Sequence, residues 1–168
     1  MTSTVNEQQK PRVVIACDHG GLDMKRELVT WLRGAGYEVT DFGVHTPDPV
    51  DYPDMAHLVA QAVANDSSAL GIVIDGAGIG SAMTANKVPG VLAAPCYDTF
   101  TARNSREHNC ANVLTLGGRV IGGGLAQEIV RVWLETPFGG GRHQRRVDKM
   151  RAVESCYSRA DVPCSSER

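Results

Sequence analysis

A short apolar run, a glycine-rich turn and the start of a helix follow one another in residues 71–87, which read GIVIDGAGIGSAMTANK. The apolar run predicts a buried strand over 71–74, and a helix is expected to open near Ser81. Glycines in the turn accept a left-handed backbone and let backbone N–H groups approach a ligand closely. The first helical turn adds unpaired N–H donors and the positive end of the helix dipole. We therefore expect this segment to bind an anion.

Asp75 follows the predicted strand directly. This is the carboxyl end of the strand, where open parallel sheets bind their ligands. Two interpretations of the side chain stay open. It can cap the glycine turn by accepting hydrogen bonds from its own loop, or it can act in catalysis beside the anion site.

Strands and helices alternate along the rest of the chain. The hydrophobic pattern predicts strands at 12–17, 37–43, 71–74, 91–96 and 113–116, with helices at 20–36, 53–64, from 81 onward, 99–107 and 125–134. A last helix with a basic start is expected after the glycines that precede Arg142. Because each short apolar strand is followed by a helix, we predict an α/β fold with a five-stranded parallel sheet covered on both faces. One domain is expected over 12–149, with a disordered leader at 1–11 and a helix end and tail at 150–168.

Composition narrows the range of functions. The chain has 168 residues, enough for one domain, and a formal charge of −2, which gives no basic field for nucleic acid. It has neither an apolar run of membrane-spanning length nor a signal-peptide core, so we expect a cytoplasmic protein. The five cysteines are widely spaced without a CxxC pair, which signals neither a zinc site nor a disulfide framework.

Further titratable groups lie near the predicted ends of strands and helices. Asp18 and His19 follow the first predicted strand, and His108 comes directly after the predicted helix at 99–107. Asp18 can simply cap a helix, and His108 suits a helix C-terminus. Arg142 and Arg146 stand four residues apart, so they form either a solvated basic face or a clamp for one phosphate dianion.

Several of these motifs recur in one known family. They are DHGG at 18–21, DYP at 51–53, GAGIG at 76–80, ANK at 85–87, SREHNCANV at 105–113 and GGRHQRRV at 140–147. In order and spacing they resemble the type B ribose-5-phosphate isomerases and their relatives, the galactose-6-phosphate isomerase subunits. The resemblance covers about residues 13–149. It implies a Rossmann-like three-layer αβα sandwich that forms a homodimer or tetramer with shared active sites. It also implies metal-free, cofactor-free interconversion of an aldose phosphate and a ketose phosphate through a cis-enediolate.

The same resemblance assigns roles to individual residues. The backbone amides of residues 76–80 would stabilise the enediolate oxygen, which involves Gly76, Ala77, Gly78, Ile79 and Gly80. His108 would assist ring opening, reaching across from the partner subunit. The phosphate would be held by arginines, and the rest of the sugar by further side chains. The implied phosphate residues are Arg119, Arg142 and Arg146, and the implied sugar contacts are Asp18, His19, Tyr52, Ser81 and Asn109.

The chain departs from the family pattern at the turn itself. Much of the family carries a cysteine base where this chain has Asp75, and a threonine or serine where it has Ala77. Another branch carries a glutamate base where this chain has Ser81. We therefore hypothesise that Asp75 is the base that abstracts the proton, with partial burial favouring its protonated form and the loop amides opposing it.

Two other classes of protein remain as alternatives. The GxG pattern, with Asp98 after the next strand, is found in dinucleotide-binding domains, but the third glycine of that motif falls at Ser81. The change of base at Asp75 would also suit a family member that has lost catalysis and serves as a sugar-phosphate sensor or partner subunit.

Overall fold

The computed structural model describes residues 10–158, and within them the predicted alternation of strands and helices is present. Residues 1–9 of the predicted leader and residues 159–168 of the predicted tail lie outside the described part. Short 3₁₀ turns, His19–Gly21 and Gly141–His143, precede the first and last helices. The elements are β1 Arg12–Cys17, α1 Leu22–Gly34, β2 Val39–Asp41, α2 Tyr52–Asn65, β3 Ala69–Asp75, α3 Ile79–Ala85, β4 Ala93–Pro95, α4 Thr99–Glu107, β5 Val113–Gly117, α5 Gly123–Glu135 and α6 Gln144–Tyr157.

The five strands form one parallel sheet in the order β2-β1-β3-β5-β4. Side chains of β1 alternate between the two faces: Val13 and Ile15 join a core with α1 and α5, whereas Val14 packs against α2. All seven residues of β3 are buried, as expected for a central strand covered on both faces. The predicted Rossmann-like αβα sandwich is confirmed.

The structure corrects several predicted boundaries. The edge strands β2 and β4 have three residues each, fewer than the seven and six predicted. Tyr37 N–H bonds to the carbonyl of Leu32 at the end of α1, and Val91 N–H bonds to Val88 in a turn, so neither residue joins the sheet. The glycine turn is also shorter than predicted, because α3 begins at Ile79. The last helix, α6, spans Gln144–Tyr157 and so continues into the region predicted as a helix end and tail.

The ends of the parallel strands define two edges of the sheet, which different segments of the chain reach. At the carboxyl edge, the chain leaves β1 at Asp18 and β3 at Asp75, and Asp75 is in register with Gly117 of β5. At the amino edge, the chain leaves each helix and enters the next strand. The helix α4 starts after β4 at the carboxyl edge and ends just before β5 at the amino edge. This path places His108, which follows α4, at the opposite edge of the sheet from Asp75.

Candidate active site

The turn after β3 requires glycine at two positions. Gly78 has a φ of +80°, and a Cβ there would lie 2.9 Å from the carbonyl carbon of Leu116. A Cβ on Gly80 would lie 2.5 Å from the ring of Tyr52. The backbone therefore packs closely against β5 on one side and against the first residue of α2 on the other. The result is a compact turn at the carboxyl edge of the sheet.

The Asp75 carboxylate lies inside this turn and is only 5% exposed. Its Oδ1 accepts hydrogen bonds from the N–H groups of Ala77, at 2.7 Å, and Gly78. Its Oδ2 accepts from Ser81 N–H at 3.0 Å and from Ser81 Oγ at 2.5 Å. The capping contacts that the sequence left open are therefore present. Since Ala77, Gly78 and Ser81 direct their amides at Asp75, the predicted anion-binding amides that do not bond to Asp75 are those of Gly76, Ile79 and Gly80.

The loop after β1 lies beside this turn. Asp18 is buried, and its Oδ1 accepts from Gly20 N–H at 2.8 Å and Gly21 N–H at 3.1 Å, so it caps the 3₁₀ turn. A Cβ on Gly20 would lie 3.5 Å from the amide nitrogen of Gly76 and 3.6 Å from Nε of Arg119. The Arg119 guanidinium thus reaches the junction of the two loops and places a positive charge there.

Aromatic and apolar side chains border the turn. Tyr52 is 40% exposed and its ring rests on Gly80. Ile79 is about half exposed. Tyr97, which the sequence analysis did not select, donates its hydroxyl to the carbonyl of Ala77 at 2.9 Å. His19 belongs to the same edge, where its Nδ1 accepts from Val50 N–H at 3.4 Å.

A second cluster of site residues lies at the end of α4. The rings of His108 and His143 stack with centroids 4.0 Å apart and planes 11° apart. Arg142 Nε lies 3.4 Å from His143 Nε2, and Arg146 follows one turn later in α6. Arg142 belongs to the 3₁₀ turn, so the two arginines are not on one continuous α-helix as predicted.

Electrostatics in this second cluster disfavour extra positive charge. Burial lowers the pKa of His143, and the neighbouring His108, Arg142 and Arg146 lower it further, while Glu107 opposes them. The Nδ1 atom of His143 is buried and has no hydrogen-bond partner within residues 10–158. These surroundings favour the neutral form of His143.

The chain is similar to known proteins over most of its length. Residues 13–150 match the family model described as Ribose/Galactose Isomerase. The chain belongs to the ribose/galactose isomerase family. This places it among the sugar-phosphate isomerases, intramolecular oxidoreductases, as the motifs implied.

Three relatives illustrate the range of the family. The structure of ribose-5-phosphate isomerase B from Clostridium thermocellum is 50% identical, with a TM-score of 0.84 over 88% of this chain and 99% of that one. The Mycoplasma genitalium ribose-5-phosphate isomerase B with bound ribulose-5-phosphate is 43% identical, with a TM-score of 0.84 over 86% and 96% of the two chains. The D-erythrulose-4-phosphate isomerase of Pectobacterium atrosepticum is 39% identical over 82% of this chain and 91% of its own.

Within one chain, the isomerase holds its predicted site residues in two separate groups. We call the group at the carboxyl edge the turn half-site; its members are Asp18, His19, Tyr52, residues 75–81 and Arg119. The group at the amino edge is the histidine half-site; its members are His108, Asn109, Arg142, His143 and Arg146. The five residues of β5 that connect the two edges span roughly 16 Å at about 3.3 Å per residue.

Two residues that contact His108 escaped the sequence analysis. His143 entered only within the motif GGRHQRRV at 140–147, and Asn104 was not singled out. The side chain of Asn104 contacts His108 Nδ1 at 2.9 Å. The i,i+4 spacing of these two residues in a predicted helix was the available signal.

The described residues offer neither a metal centre nor a membrane anchor of the helical kind. Among residues 10–158, no three His, Cys, Asp or Glu side chains are grouped as ligands for a metal ion. In the same range, none of the helices combines the length and the apolar character that crossing a bilayer requires.

Proposed function

We propose that the isomerase interconverts an aldose phosphate and a ketose phosphate, ribose 5-phosphate and ribulose 5-phosphate or a close relative, by metal-free proton transfer through a cis-enediolate. The observation that carries this proposal is the turn half-site, where a carboxylate, free backbone amides and Arg119 converge at the carboxyl edge of a family-typical sheet. Bound ribulose-5-phosphate in the Mycoplasma genitalium relative supports a phosphorylated sugar as the substrate class.

Asp75 is the proposed base that moves the proton between C1 and C2. Three of its four donors are backbone amides, whose positions the turn holds rigidly. The fourth is the Ser81 hydroxyl, which can rotate about its Cα–Cβ bond. Oδ2 is therefore the atom that would accept the proton, after the Ser81 hydroxyl has turned away. The amides of Gly76, Ile79 and Gly80 would then stabilise the negative oxygen of the enediolate.

The substrate phosphate is proposed to bind to Arg142 and Arg146. Guanidinium groups suit a dianion because they donate paired hydrogen bonds. Gripping the phosphate away from the reacting carbons supplies binding energy that orients C1 and C2. In this arrangement Asp18, His19, Tyr52 and Asn109 hold the hydroxyl groups of the sugar, and Arg119 adds positive charge beside the turn.

A complete site is proposed to form between two copies of the chain. The two half-sites lie at opposite edges of one sheet, too far apart for one pentose phosphate to contact both within a chain. Exposed apolar side chains accompany both half-sites. Those near the turn are Ile79, Met83 and Val120, and those on α6 are Met150, Val153 and Tyr157. Such surfaces favour association, so we propose a homodimer, or a tetramer built from it, in which each copy completes the other's site.

A catalytically altered sensor or partner subunit is the second candidate. The specific observation in its favour is the full set of hydrogen bonds on Asp75, because a carboxylate with four protein donors is already used as a cap. Such a protein would bind sugar phosphates through the same residues without moving a proton.

Solvent exchange distinguishes the two candidates. The protein is incubated in D₂O with four-, five- and six-carbon aldose and ketose phosphates, and deuterium at C1 or C2 is followed by NMR. An isomerase incorporates deuterium into at least one sugar, whereas a sensor binds a sugar, measured by calorimetry, and leaves it unlabelled.

Two variants test the base. Asp75→Asn should lose deuterium exchange while sugar-phosphate binding is largely retained. Asp75→Cys introduces the cysteine found in much of the family, and this variant should exchange deuterium faster than Asp75→Asn. If Asp75→Asn keeps a rate close to the parent protein, Asp75 is not the base.

A further inference from the structure

We propose that Asn104 is a positioning residue that holds His108 as a neutral imidazole with its proton on Nε2, so that His108 acts as an uncharged hydrogen-bond donor to the sugar ring oxygen. This inference rests on the proposed function and deepens it. It concerns a residue outside the family motifs quoted above.

The geometry of α4 supports this orientation of the ring. Asn104 and His108 lie one helical turn apart, with 2.9 Å between Asn104 Nδ2 and His108 Nδ1. On the other side of the amide, Asn109 Nδ2 lies 3.5 Å from Asn104 Oδ1. Since Oδ1 faces a donor, the NH₂ group of Asn104 faces the ring. Only a lone pair on Nδ1 can accept that bond, and a neutral imidazole with this lone pair carries its proton on Nε2.

The neighbouring ring of the stack holds the plane of the His108 imidazole and has positive charges beside it. His143 stacks on one face, and Arg142 and Arg146 bring two positive charges to that ring. Glu107 is the acidic group that opposes them at His143. An imidazolium at position 108 would place an N–H on Nδ1 directly against the NH₂ group of Asn104. The stack holds the plane of the ring, and Asn104 selects its tautomer.

An uncharged donor is sufficient for opening a furanose. The bond between C1 and the ring oxygen breaks, and its electron pair moves to the ring oxygen. The C1 hydroxyl loses its proton as the carbonyl forms, and the ring oxygen gains a proton through solvent, so the net reaction only relocates one hydrogen. His108 Nε2–H would stabilise the negative charge that develops on the ring oxygen, in the way that neutral imidazoles polarise oxygen in other isomerases.

Substrate chemistry separates ring opening from proton transfer. Ribose 5-phosphate is mainly a furanose and must open before it reacts. Ribulose 5-phosphate cannot form a furanose, because the oxygen on C5 carries the phosphate, so exchange of its C1 proton bypasses ring opening. A defect in His108 should therefore slow turnover of ribose 5-phosphate and spare exchange into ribulose 5-phosphate.

The test variant is Asn104→Asp. Its carboxylate accepts a proton from Nδ1, which moves the neutral tautomer to Nδ1–H and leaves Nε2 without a donor. At pH 8 we expect ribose 5-phosphate turnover to fall about tenfold or more, within the range for lost acid–base assistance, while C1 exchange of ribulose 5-phosphate changes less than about twofold. The variant should regain activity as the pH falls, because its imidazolium donates again from Nε2. The parent enzyme should show no such gain.

Long-range ¹⁵N NMR of the histidines reads the tautomer directly and needs no activity. We expect Nε2–H for His108 in the parent protein and Nδ1–H in Asn104→Asp. Asn104→Ala and the exposed neighbour Arg103→Gln serve as controls, and the latter should behave as the parent in every assay. An Nδ1–H tautomer in the parent, or equal losses in both reactions, would overturn the inference. Absence of C1 exchange in the parent would instead refute the proposed function, and the NMR result would still test the tautomer.

Discussion

Mixing two inactive variants should restore activity if each site is shared between two copies. One variant, Asp75→Asn, damages the turn half-site. The other carries Arg142→Gln and Arg146→Gln and damages the histidine half-site. Neither variant alone should turn over substrate. In a mixed dimer, one site combines both defects, whereas the other combines the two intact half-sites.

The activity expected from the mixture follows from the positions of the two half-sites in a dimer. The sheet separates the two half-sites of one chain by roughly 16 Å, so the proposed site draws them from different chains. Random exchange in a twofold dimer makes about half of the dimers mixed, and each mixed dimer has one intact site of two. The mixture should therefore show about a quarter of the activity of the parent protein at equal total concentration.

The assay requires exchange of subunits before measurement. The two variants are co-refolded from urea at equal concentrations, and ribose 5-phosphate turnover is compared with the parent protein treated in the same way. Each variant refolded alone serves as a control. If the mixture stays inactive although native mass spectrometry detects mixed dimers, the sites are not shared and the separation argument is wrong.

Three further predictions concern residues that support the folded structure. Gly78→Ala should abolish activity and destabilise the protein more than Gly90→Ala in urea denaturation, because both have positive φ but only position 78 lacks space for a Cβ. Asp41→Asn should lower the free energy of unfolding by about 3 kcal/mol by leaving the buried ammonium of Lys25, 2.7 Å away, without its counterion; Lys25→Met should cost less. Folding lowers the pKa of His143, so as the pH falls this side chain is protonated in the unfolded chain before it is protonated in the folded protein. The free energy of unfolding should therefore decline as the pH falls below about 6.5. His143→Phe should reduce that decline in thermal denaturation measured between pH 7.5 and 5.

The fold could be predicted from the sequence because the patterns that indicate it lie within short segments. The apolar run of β3, the glycines after it and the helical pattern that follows are all contained in residues 69–85, and the alternation of such units predicts a parallel sheet. Errors occurred at the edge strands, β2 and β4, whose ends depend on which backbone groups find partners in neighbouring turns. The strand propensities of the residues do not specify whether a backbone group bonds to the sheet or to a neighbouring turn.

The Asp75 cap shows how far local reasoning reaches. Its four contacts come from residues within six positions of it, so the sequence could raise capping as an alternative. The three-dimensional structure added that both oxygens are engaged, which assigns the amides of Ala77 and Gly78 to Asp75. The number of donors on a carboxylate depends on backbone torsions that the sequence does not specify.

The sequence by itself determined the αβα fold, the glycine turn and the family of the protein, because each depends on residue types at short, regular spacing. Only the tertiary structure decided that His108 and the clamp arginines lie at the opposite edge of the sheet from Asp75, that His143 stacks on His108, and that Asn104 faces its ring. Helices that return from one edge of a parallel sheet to the other place their two ends at different edges, so His108 and Asp75 lie apart within the single chain.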